Sequence, residues 1–176
     1  MKPGIVVMSE LRGEVAEWLL SIQRKYDPRV AAELPPHITI TGSSGMGPIL
    51  PSTSDDELRR ALDGVARSTP PFTVQLQPPT RFMQSTVVVM TIEPHGPIRA
   101  LHERIKSSGL AYDPPRFTFT PHCTLSFYPE LDREKLRELL RVRFDEPVVI
   151  ESIQAYRTVT LTRTRKVLDL PLGSSS

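Results

Sequence analysis

Cysteine is almost absent from this chain, since Cys123 is the only one among 176 residues. A single cysteine excludes an intramolecular disulfide and any zinc site built from several thiolates. Long apolar runs are missing too, and those present are far shorter than the roughly 20 residues that cross a membrane. The first residues reach Glu10, Arg12 and Glu14 after a few apolar positions, so no signal peptide is expected. We therefore expect a cytoplasmic protein without a membrane partner.

A strong charge of either sign is also missing. The chain has 22 Lys and Arg against 20 Asp and Glu, a formal net charge of +2, so composition alone does not indicate a nucleic-acid-binding protein. Proline is abundant instead, with 18 residues that lie before and between strand-like segments, as is typical of turns. The length predicts one domain over residues 1–172 with two lobes, followed by a disordered tail over 173–176.

Two short segments nearly repeat one another: Pro36-His37-Ile38-Thr39-Ile40-Thr41 and Pro121-His122-Cys123-Thr124-Leu125-Ser126. Each places an imidazole and a hydroxyl two residues apart, and residues two apart on a strand share a face. For the second segment the same alternation predicts a longer strand with two distinct faces. Its polar face would carry Thr118, Thr120, His122, Thr124 and Ser126, and its core face Phe117, Phe119, Cys123, Leu125 and Phe127.

Helices and strands follow in a similar order around both segments. Apolar periodicity predicts strands at 5–8, 72–77, 86–92, 148–156, 158–162 and 167–170, and helices at about 14–26, after Ser54, at about 97–108 and at 132–141. Ser54 and Glu57 form a capping-box pattern. Each half thus consists of strand, helix, His-Thr strand, helix and strand, which predicts an internal duplication. A pseudo-twofold arrangement would bring the two His-Thr faces together across a groove.

The paired segments His37-Ile38-Thr39 and His122-Cys123-Thr124 resemble the signature of the two-histidine (2H) phosphoesterase superfamily. The stretch Gln23-Arg24-Lys25-Tyr26-Asp27-Pro28, running into Pro35-Pro36-His37, is similar to small bacterial members. The resemblance implies a bilobal α+β fold with pseudo-twofold duplication, in which two antiparallel sheets face a central groove and helices lie outside. It also implies metal-independent chemistry, with no cofactor, on 2′,3′-cyclic phosphates or 2′-5′ phosphodiesters of RNA or nucleotides.

Two imidazoles facing one phosphodiester can perform general acid–base catalysis, because the ordinary histidine pKa near 6.5 lets one ring be neutral and the other protonated. His37 and His122 take these roles jointly. Thr39 and Thr124 would donate hydrogen bonds to the non-bridging phosphate oxygens. Further candidate substrate contacts are Arg81, Phe82, Ser126, Tyr128 and Arg157, although an exposed arginine is as a rule simply solvated.

The expected partner is an RNA end or nucleotide with a cyclic phosphate or 2′-5′ linkage, bound by a monomer. Two other function classes stay open: a non-catalytic RNA- or nucleotide-binding module on the same fold, and a metallohydrolase. Paired titratable groups favour the enzyme, since binding alone does not need them. The usual Cys and His spacing of zinc sites is absent from the sequence, so no metal is expected.

Other polar residues have simpler explanations. His95, between Pro94 and Gly96, is typical of a turn, whereas His102 on an apolar helix face and Cys123 on the core side of its strand are expected in the interior. The glycines at 42, 45 and 47 lack the Gly-Lys-Ser/Thr of a phosphate-binding loop, which leaves a mobile loop beside the groove or a plain connection. Arg157, Arg163, Arg165 and Lys166 indicate either an RNA-binding strand pair or a solvated hairpin.

Overall fold

The computed structural model describes residues 3–42, 44–82, 85–127, 131–160 and 163–173, and the statements below concern these residues. Helices and strands alternate along the chain. They are β1 (Ile5–Glu10), α1 (Gly13–Tyr26), α2 (Pro28–Glu33), β2 (His37–Thr41), α3 (Asp55–Arg67), β3 (Phe72–Val74), β4 (Leu76–Arg81), β5 (Val88–Ile92), α4 (Pro97–Lys106), β6 (His122–Ser126), α5 (Arg133–Leu139), β7 (Val148–Ile150), β8 (Ser152–Thr160) and β9 (Arg163–Pro171).

The strands form two main sheets, one for each His-Thr strand. The first has the order β2-β1-β8-β9 and the second the order β4-β5-β6, while β3 and β7 form a separate two-stranded sheet. Neighbouring strands are antiparallel in all three sheets. The predicted α+β class with two antiparallel sheets is therefore confirmed. None of the described helices is long and apolar enough to span a membrane.

The duplication predicted from the sequence is visible in the strand register. Opposite Glu10 on β1 lies His37 of β2, and opposite Thr91 on β5 lies His122 of β6. Both strand pairs then shift register at equivalent places, between Val7 and Met8 in one and between Val88 and Val89 in the other. The units β1–β4 and β5–β8 thus repeat one plan. Each unit gives its last strand to the other unit's sheet, because β4 pairs with β5 and β8 pairs with β1.

The core lies between the sheets and their helices. Helix α3 buries Leu58, Leu62 and Ala66, and α4 buries Ile98, Leu101 and Ile105. Each buried Leu or Ile contributes about 1.5–3 kcal/mol relative to an exposed one, so these two faces alone fix both helices firmly. The capping box of α3 is confirmed. The Ser54 N–H donates to Glu57 Oε2 at 2.7 Å, and the Glu57 N–H donates to Ser54 Oγ at 3.2 Å.

Several predicted boundaries are wrong for identifiable reasons. The first helix ends at Tyr26 as predicted, but a second helix that was not predicted, α2, begins at Pro28, since proline is well suited to the first turn of a helix. Strand β4 continues through Pro78 and Pro79, which predicted a connection, because β4 is an edge strand and an edge strand tolerates missing N–H donors. The turn predicted near Arg157 is absent, since β8 continues to Thr160.

Gly173, predicted as the first residue of a disordered tail, belongs to the fold. Gly173 is buried, and its N–H donates to the carbonyl oxygens of Ala66 at 2.7 Å and Thr69 at 2.9 Å. The ordered chain therefore extends through Gly173, while 174–176 lie outside the described residues.

Candidate active site

The two motif histidines occupy equivalent positions at the first residues of β2 and β6. His37 Nδ1 lies 2.7 Å from the carbonyl oxygen of Pro35, and His122 Nδ1 lies 2.7 Å from that of Thr120. A carbonyl oxygen can only accept, so each Nδ1 carries the proton and donates it. In the neutral rings Nε2 is therefore the free acceptor, the nitrogen that can take a proton from a substrate or from water.

The segment before each histidine is also anchored in an equivalent way. The carbonyl oxygen of Pro36 accepts a hydrogen bond from Leu11 N–H at 2.8 Å, and that of Pro121 accepts one from Ile92 N–H at 2.9 Å. Proline fixes its own φ and restricts the residue before it. Both imidazoles thus project from rigid backbone, which keeps their orientation constant.

Burial lowers the pKa of both His37 and His122 below the ordinary histidine value, and in each ring the backbone hydrogen bond opposes this shift in part. The positive charge of His122 lowers the pKa of His37 further, whereas the carboxylate of Glu10 raises it. The two rings are therefore close enough to influence each other's protonation. At neutral pH the free protein holds both rings mainly neutral.

A cavity of about 370 Å³ lies against both motifs. His37 and Thr39 of the first motif line it together with Thr124 of the second. In the part of the chain that the structure describes, the hydroxyls of Thr39 and Thr124 have no hydrogen-bond partner, so both can donate to a ligand. The remaining wall is largely apolar and includes Met8, Val30, Leu34, Pro48, Pro114 and Phe127. The wall also includes two acidic residues, Glu33 and Asp113. A cavity with a partly apolar wall and several polar groups fits a small organic ligand.

The predicted contact Phe82 lies beside the second histidine. Its ring centroid is 4.6 Å from that of His122, with the ring planes inclined by 38°. Arg116, which the sequence analysis did not select, lines the cavity and is the one basic residue among its described lining residues. In the sequence, only the position of Arg116 shortly before the second motif could have indicated a place near the site.

The other predicted contacts differ in outcome. Ser126 is fully buried and its hydroxyl donates to Asp27 Oδ2 at 3.3 Å, so it does not face the cavity. Arg157 donates to the carbonyl oxygens of Pro51 and Thr53 and to Asp55 Oδ1, which makes it a structural link to the start of α3. Arg81 is exposed and does not line the cavity. Tyr128 lies outside the described residues.

The predicted faces of the second strand need a correction as well. Strand β6 begins only at His122, and Phe117 and Phe127, expected in the core, are 42% and 46% exposed. The alternation fails after Thr124 because Val89 lies opposite Thr124 and Val88 opposite Ser126, which leaves Leu125 as an extra residue. This bulge turns Ser126 to the core side.

Two polar residues of the first helical region hold the second motif in place. Gln23 Nε2 donates to the carbonyl oxygen of Thr124 at 2.9 Å, and Asp27 Oδ2 accepts from the N–H of Phe127 at 2.9 Å. The Asp27 side chain is 1% exposed. Both residues belong to the stretch 23–28 that the sequence analysis associated with bacterial phosphoesterases without a role for either. The structure shows that they position β6.

Replacing Asp27 by alanine is expected to destabilise the protein by about 2–3 kcal/mol, because the buried Phe127 N–H and Ser126 hydroxyl lose their acceptor. Asp27→Asn keeps an acceptor oxygen at the same place, so its free energy of unfolding should fall clearly less than that of Asp27→Ala. Urea unfolding at pH 7 measures both variants. A loss below about 0.5 kcal/mol for Asp27→Ala, the range of ordinary surface substitutions, would contradict this role.

The residues set aside by the sequence analysis occupy simple environments. His102 is buried, its Nδ1 donates to the Ile40 carbonyl oxygen at 2.7 Å, and its ring stacks on Phe119. Cys123 is buried, which raises the pKa of its thiol to about 12. His95 is exposed beside Glu93. Among the described residues, no three His, Cys, Asp or Glu side chains are grouped as a metal site would require.

Known proteins show which family this chain belongs to. The family model of the 2′-5′ RNA ligase superfamily matches residues 8–160. The chain belongs to this superfamily. A protein of Bacillus licheniformis named as a candidate phosphoesterase is 30% identical over 131 residues, covering 72% of this chain and 70% of the relative. A protein of Bacillus pumilus with the same type of name is 29% identical over 128 residues, with 72% and 70% covered.

Several solved structures share the fold of this chain. The protein TT0787 of Thermus thermophilus has a TM-score of 0.65 at 16% identity, covering 98% of this chain and 99% of that one. E. coli LigT in apo form has a TM-score of 0.61 at 18% identity, with 98% of both chains covered. LigT complexed with 3′-AMP has a TM-score of 0.60 at 16% identity, with 99% and 100% covered. At these identities the likeness concerns the fold.

Proposed function

We propose that this protein is a metal-independent phosphoesterase that acts on a 2′,3′-cyclic phosphate or 2′-5′ phosphodiester of RNA or nucleotides. The observation that carries the proposal is the pair of half-buried imidazoles, each held by an Nδ1–H···O=C hydrogen bond of 2.7 Å. A binding protein has no need of two such oriented titratable groups. The complex of LigT with 3′-AMP, a superfamily member with the same fold, supports a nucleotide as the ligand class.

Cleavage of a cyclic phosphate would require one ring as base and the other as acid. The neutral Nε2 of the base removes a proton from water, whose oxygen then forms a bond to phosphorus. The bond from phosphorus to one ribose oxygen breaks, and the protonated acid donates its Nε2 proton to that oxygen. Each such group typically contributes about 10²–10⁴-fold to the rate. In ligation the same two rings would exchange roles.

The threonines would stabilise the charge that develops on the phosphate. Thr39 and Thr124 line the cavity from opposite motifs, and each follows its histidine by two residues. Two hydroxyl donors directed at the non-bridging oxygens stabilise the transition state without a metal ion.

The neighbouring strands distinguish the two histidines. Glu10 lies opposite His37, whereas the uncharged Thr91 lies opposite His122. The Glu10 carboxylate is shared with Lys166 Nζ at 2.7 Å and with the Tyr156 hydroxyl. Glu10 raises the pKa of His37, but the positive charge of His122 lowers it by more. His122 is therefore still protonated when His37 loses its proton, and we assign His122 as the acid in cleavage and His37 as the base.

Substitution of Glu10 and Lys166 tests this assignment with opposite signs. Glu10→Gln removes a charge that raises the pKa of His37, so the acidic limb of the kcat/KM profile should move to lower pH. Lys166→Gln leaves Glu10 less neutralised and should move the same limb to higher pH. The alkaline limb, which reports His122, should stay in place in both variants. Movement of the alkaline limb instead would reverse the assignment.

The proposal is tested by incubating the protein with the four nucleoside 2′,3′-cyclic phosphates in excess EDTA and identifying the products. Turnover under these conditions supports the phosphoesterase and shows which ribose–oxygen bond is cleaved. Tight binding without turnover favours the non-catalytic nucleotide-binding module. Turnover that disappears with EDTA and returns with zinc or manganese would indicate a metallohydrolase. Sedimentation in the same buffer tests the proposed monomer, and the composition favours the cytoplasm as its compartment.

A further inference from the structure

A second cavity, of about 410 Å³, lies beside the candidate active site. Its wall combines one face of α4 with the segment that precedes the second motif. Three of its lining residues are basic, namely Arg99, Lys106 and Arg116, and one is acidic, Glu103. The cavity therefore attracts anions. Nothing in the proposed mechanism uses it.

The basic residues of this cavity differ in whether they already have partners within the protein. Arg99 Nε donates to the Pro94 carbonyl oxygen at 2.8 Å, and Arg99 Nη1 lies 3.8 Å from Glu103 Oε1. Lys106 and Arg116 are exposed, and neither has an ion-pair or hydrogen-bond partner anywhere in the described ranges. Lys106 and Arg99 both lower the pKa of the buried His102 ring in the wall, while the Glu103 carboxylate raises it. Two cations are thus left for a ligand.

The second cavity is continuous with the candidate active site by two routes. Arg116 lines both cavities. In addition, a row of aromatic rings leads from one to the other: Phe82 lies 4.6 Å from the ring of His122, and Phe117 lies 6.3 Å from Phe82 in an edge-to-face arrangement. Phe117 lines the second cavity and is 42% exposed. A flat exposed ring beside free cations is the combination that binds single-stranded nucleic acid, by stacking a base and pairing a phosphate.

We propose that the second cavity binds a second phosphate of the substrate, placed next to the reacting phosphodiester, with Lys106 and Arg116 as its cationic partners and Phe117 as the surface on which the adjoining base stacks. The proposal rests on the proposed function, because it takes the reacting phosphodiester to lie at His37 and His122. The guanidinium of Arg116 can bind phosphate through two parallel hydrogen bonds, whereas Lys106 acts as a point charge. The second phosphate can belong to an RNA strand or be the 5′-phosphate of a nucleotide.

Four compounds distinguish an RNA strand from the 5′-phosphate of a nucleotide as the source of the second phosphate. They are adenosine 2′,3′-cyclic phosphate, the same nucleoside with a 5′-phosphate, a dinucleotide with a terminal cyclic phosphate, and that dinucleotide with an uncharged methylphosphonate linkage. We expect the dinucleotide to have a KM about tenfold lower than the mononucleoside, and the methylphosphonate compound to lose most of this gain. An equal gain from the 5′-phosphate alone would identify a nucleotide phosphate as the ligand instead of a strand.

Lys106→Ala is the variant that isolates the second cavity, because Lys106 does not line the first. It should raise KM for the doubly phosphorylated substrates about tenfold and leave kcat and the mononucleoside KM unchanged. Lys135→Ala removes an exposed lysine of α5 outside both cavities and should change nothing. Phe117→Ala should weaken binding of the dinucleotide but not binding of the 5′-phosphorylated mononucleoside, since only the dinucleotide has an adjoining base.

The same compounds are measured by calorimetry, so that the second cavity is tested even if no substrate is turned over. Tighter binding of the doubly phosphorylated compounds that Lys106→Ala abolishes supports the proposal, whatever the outcome for catalysis. The proposal is overturned if Lys106→Ala affects all four compounds equally. It is also overturned if the methylphosphonate dinucleotide behaves like the charged one.

Discussion

Replacing either His37 or His122 by alanine should lower kcat on a cyclic phosphodiester by about 10²–10⁴-fold, the contribution of one general acid or base. Each ring donates its Nδ1–H to a backbone carbonyl and keeps only Nε2 for the substrate. No neighbouring side chain is positioned to replace that nitrogen within the parts of the motifs that the structure describes. KM should change far less than kcat, because the threonines and the cavity wall remain.

The matched control is His95→Ala, which removes an exposed imidazole outside the cavity. It should retain wild-type activity, and all three variants should unfold near the wild-type urea midpoint. A His37→Ala or His122→Ala protein that folds normally and keeps more than about a tenth of the wild-type kcat would contradict paired acid–base catalysis.

Gly45→Ala should destabilise the protein by about 3–5 kcal/mol, a fall in Tm on the order of 10 °C. Gly45 has φ +75°, and a Cβ at this position would lie 2.5 Å from His102 Nε2 and 2.8 Å from Phe119 Cβ. Its N–H also donates to the Phe117 carbonyl oxygen at 2.8 Å. The substitution therefore combines a left-handed backbone with a clash against a buried, stacked ring pair.

Gly109→Ala provides the matched control for Gly45. Gly109 also has a positive φ, +90°, but a Cβ there would meet nothing within 4 Å. The control variant should lose only about 1–2 kcal/mol of unfolding free energy, the steric cost of the left-handed conformation. Differential scanning calorimetry compares the two variants. Equal losses would mean that Gly45 is not packed against His102, and the loop after β2 would then be a loose connection.

Residue patterns that act locally were predictable from the sequence. The duplication, the capping box at Ser54 and the interior places of His102 and Cys123 follow from periodicity and cap chemistry, which need no knowledge of distant partners. The paired His-x-Thr segments also contribute residues to one cavity. His37, Thr39 and Thr124 line it and His122 does not, and strand alternation holds as far as Thr124. The catalytic roles of these residues stay predictions.

Contacts between distant parts of the chain were not predictable. The bulge at Leu125 depends on how β5 pairs with β6, and it removes Ser126 from the site. Asp27 and Gln23 contact the second motif from about a hundred residues away. Two arginines that the sequence does not distinguish have different environments. Arg157 is hydrogen-bonded to backbone carbonyls and to Asp55, whereas Arg116 lines both cavities.

The central claim is that one histidine works neutral and the other protonated on the same phosphodiester. The pH dependence of kcat/KM, measured from pH 4 to 9 with chemistry as the slow step, tests it most directly. We expect a bell-shaped profile with its maximum below about pH 6.5, because burial lowers the pKa of both rings from that ordinary value. In the residual activity, His37→Ala should remove the acidic limb and His122→Ala the alkaline limb. A flat profile, or both limbs surviving in either variant, would contradict the account.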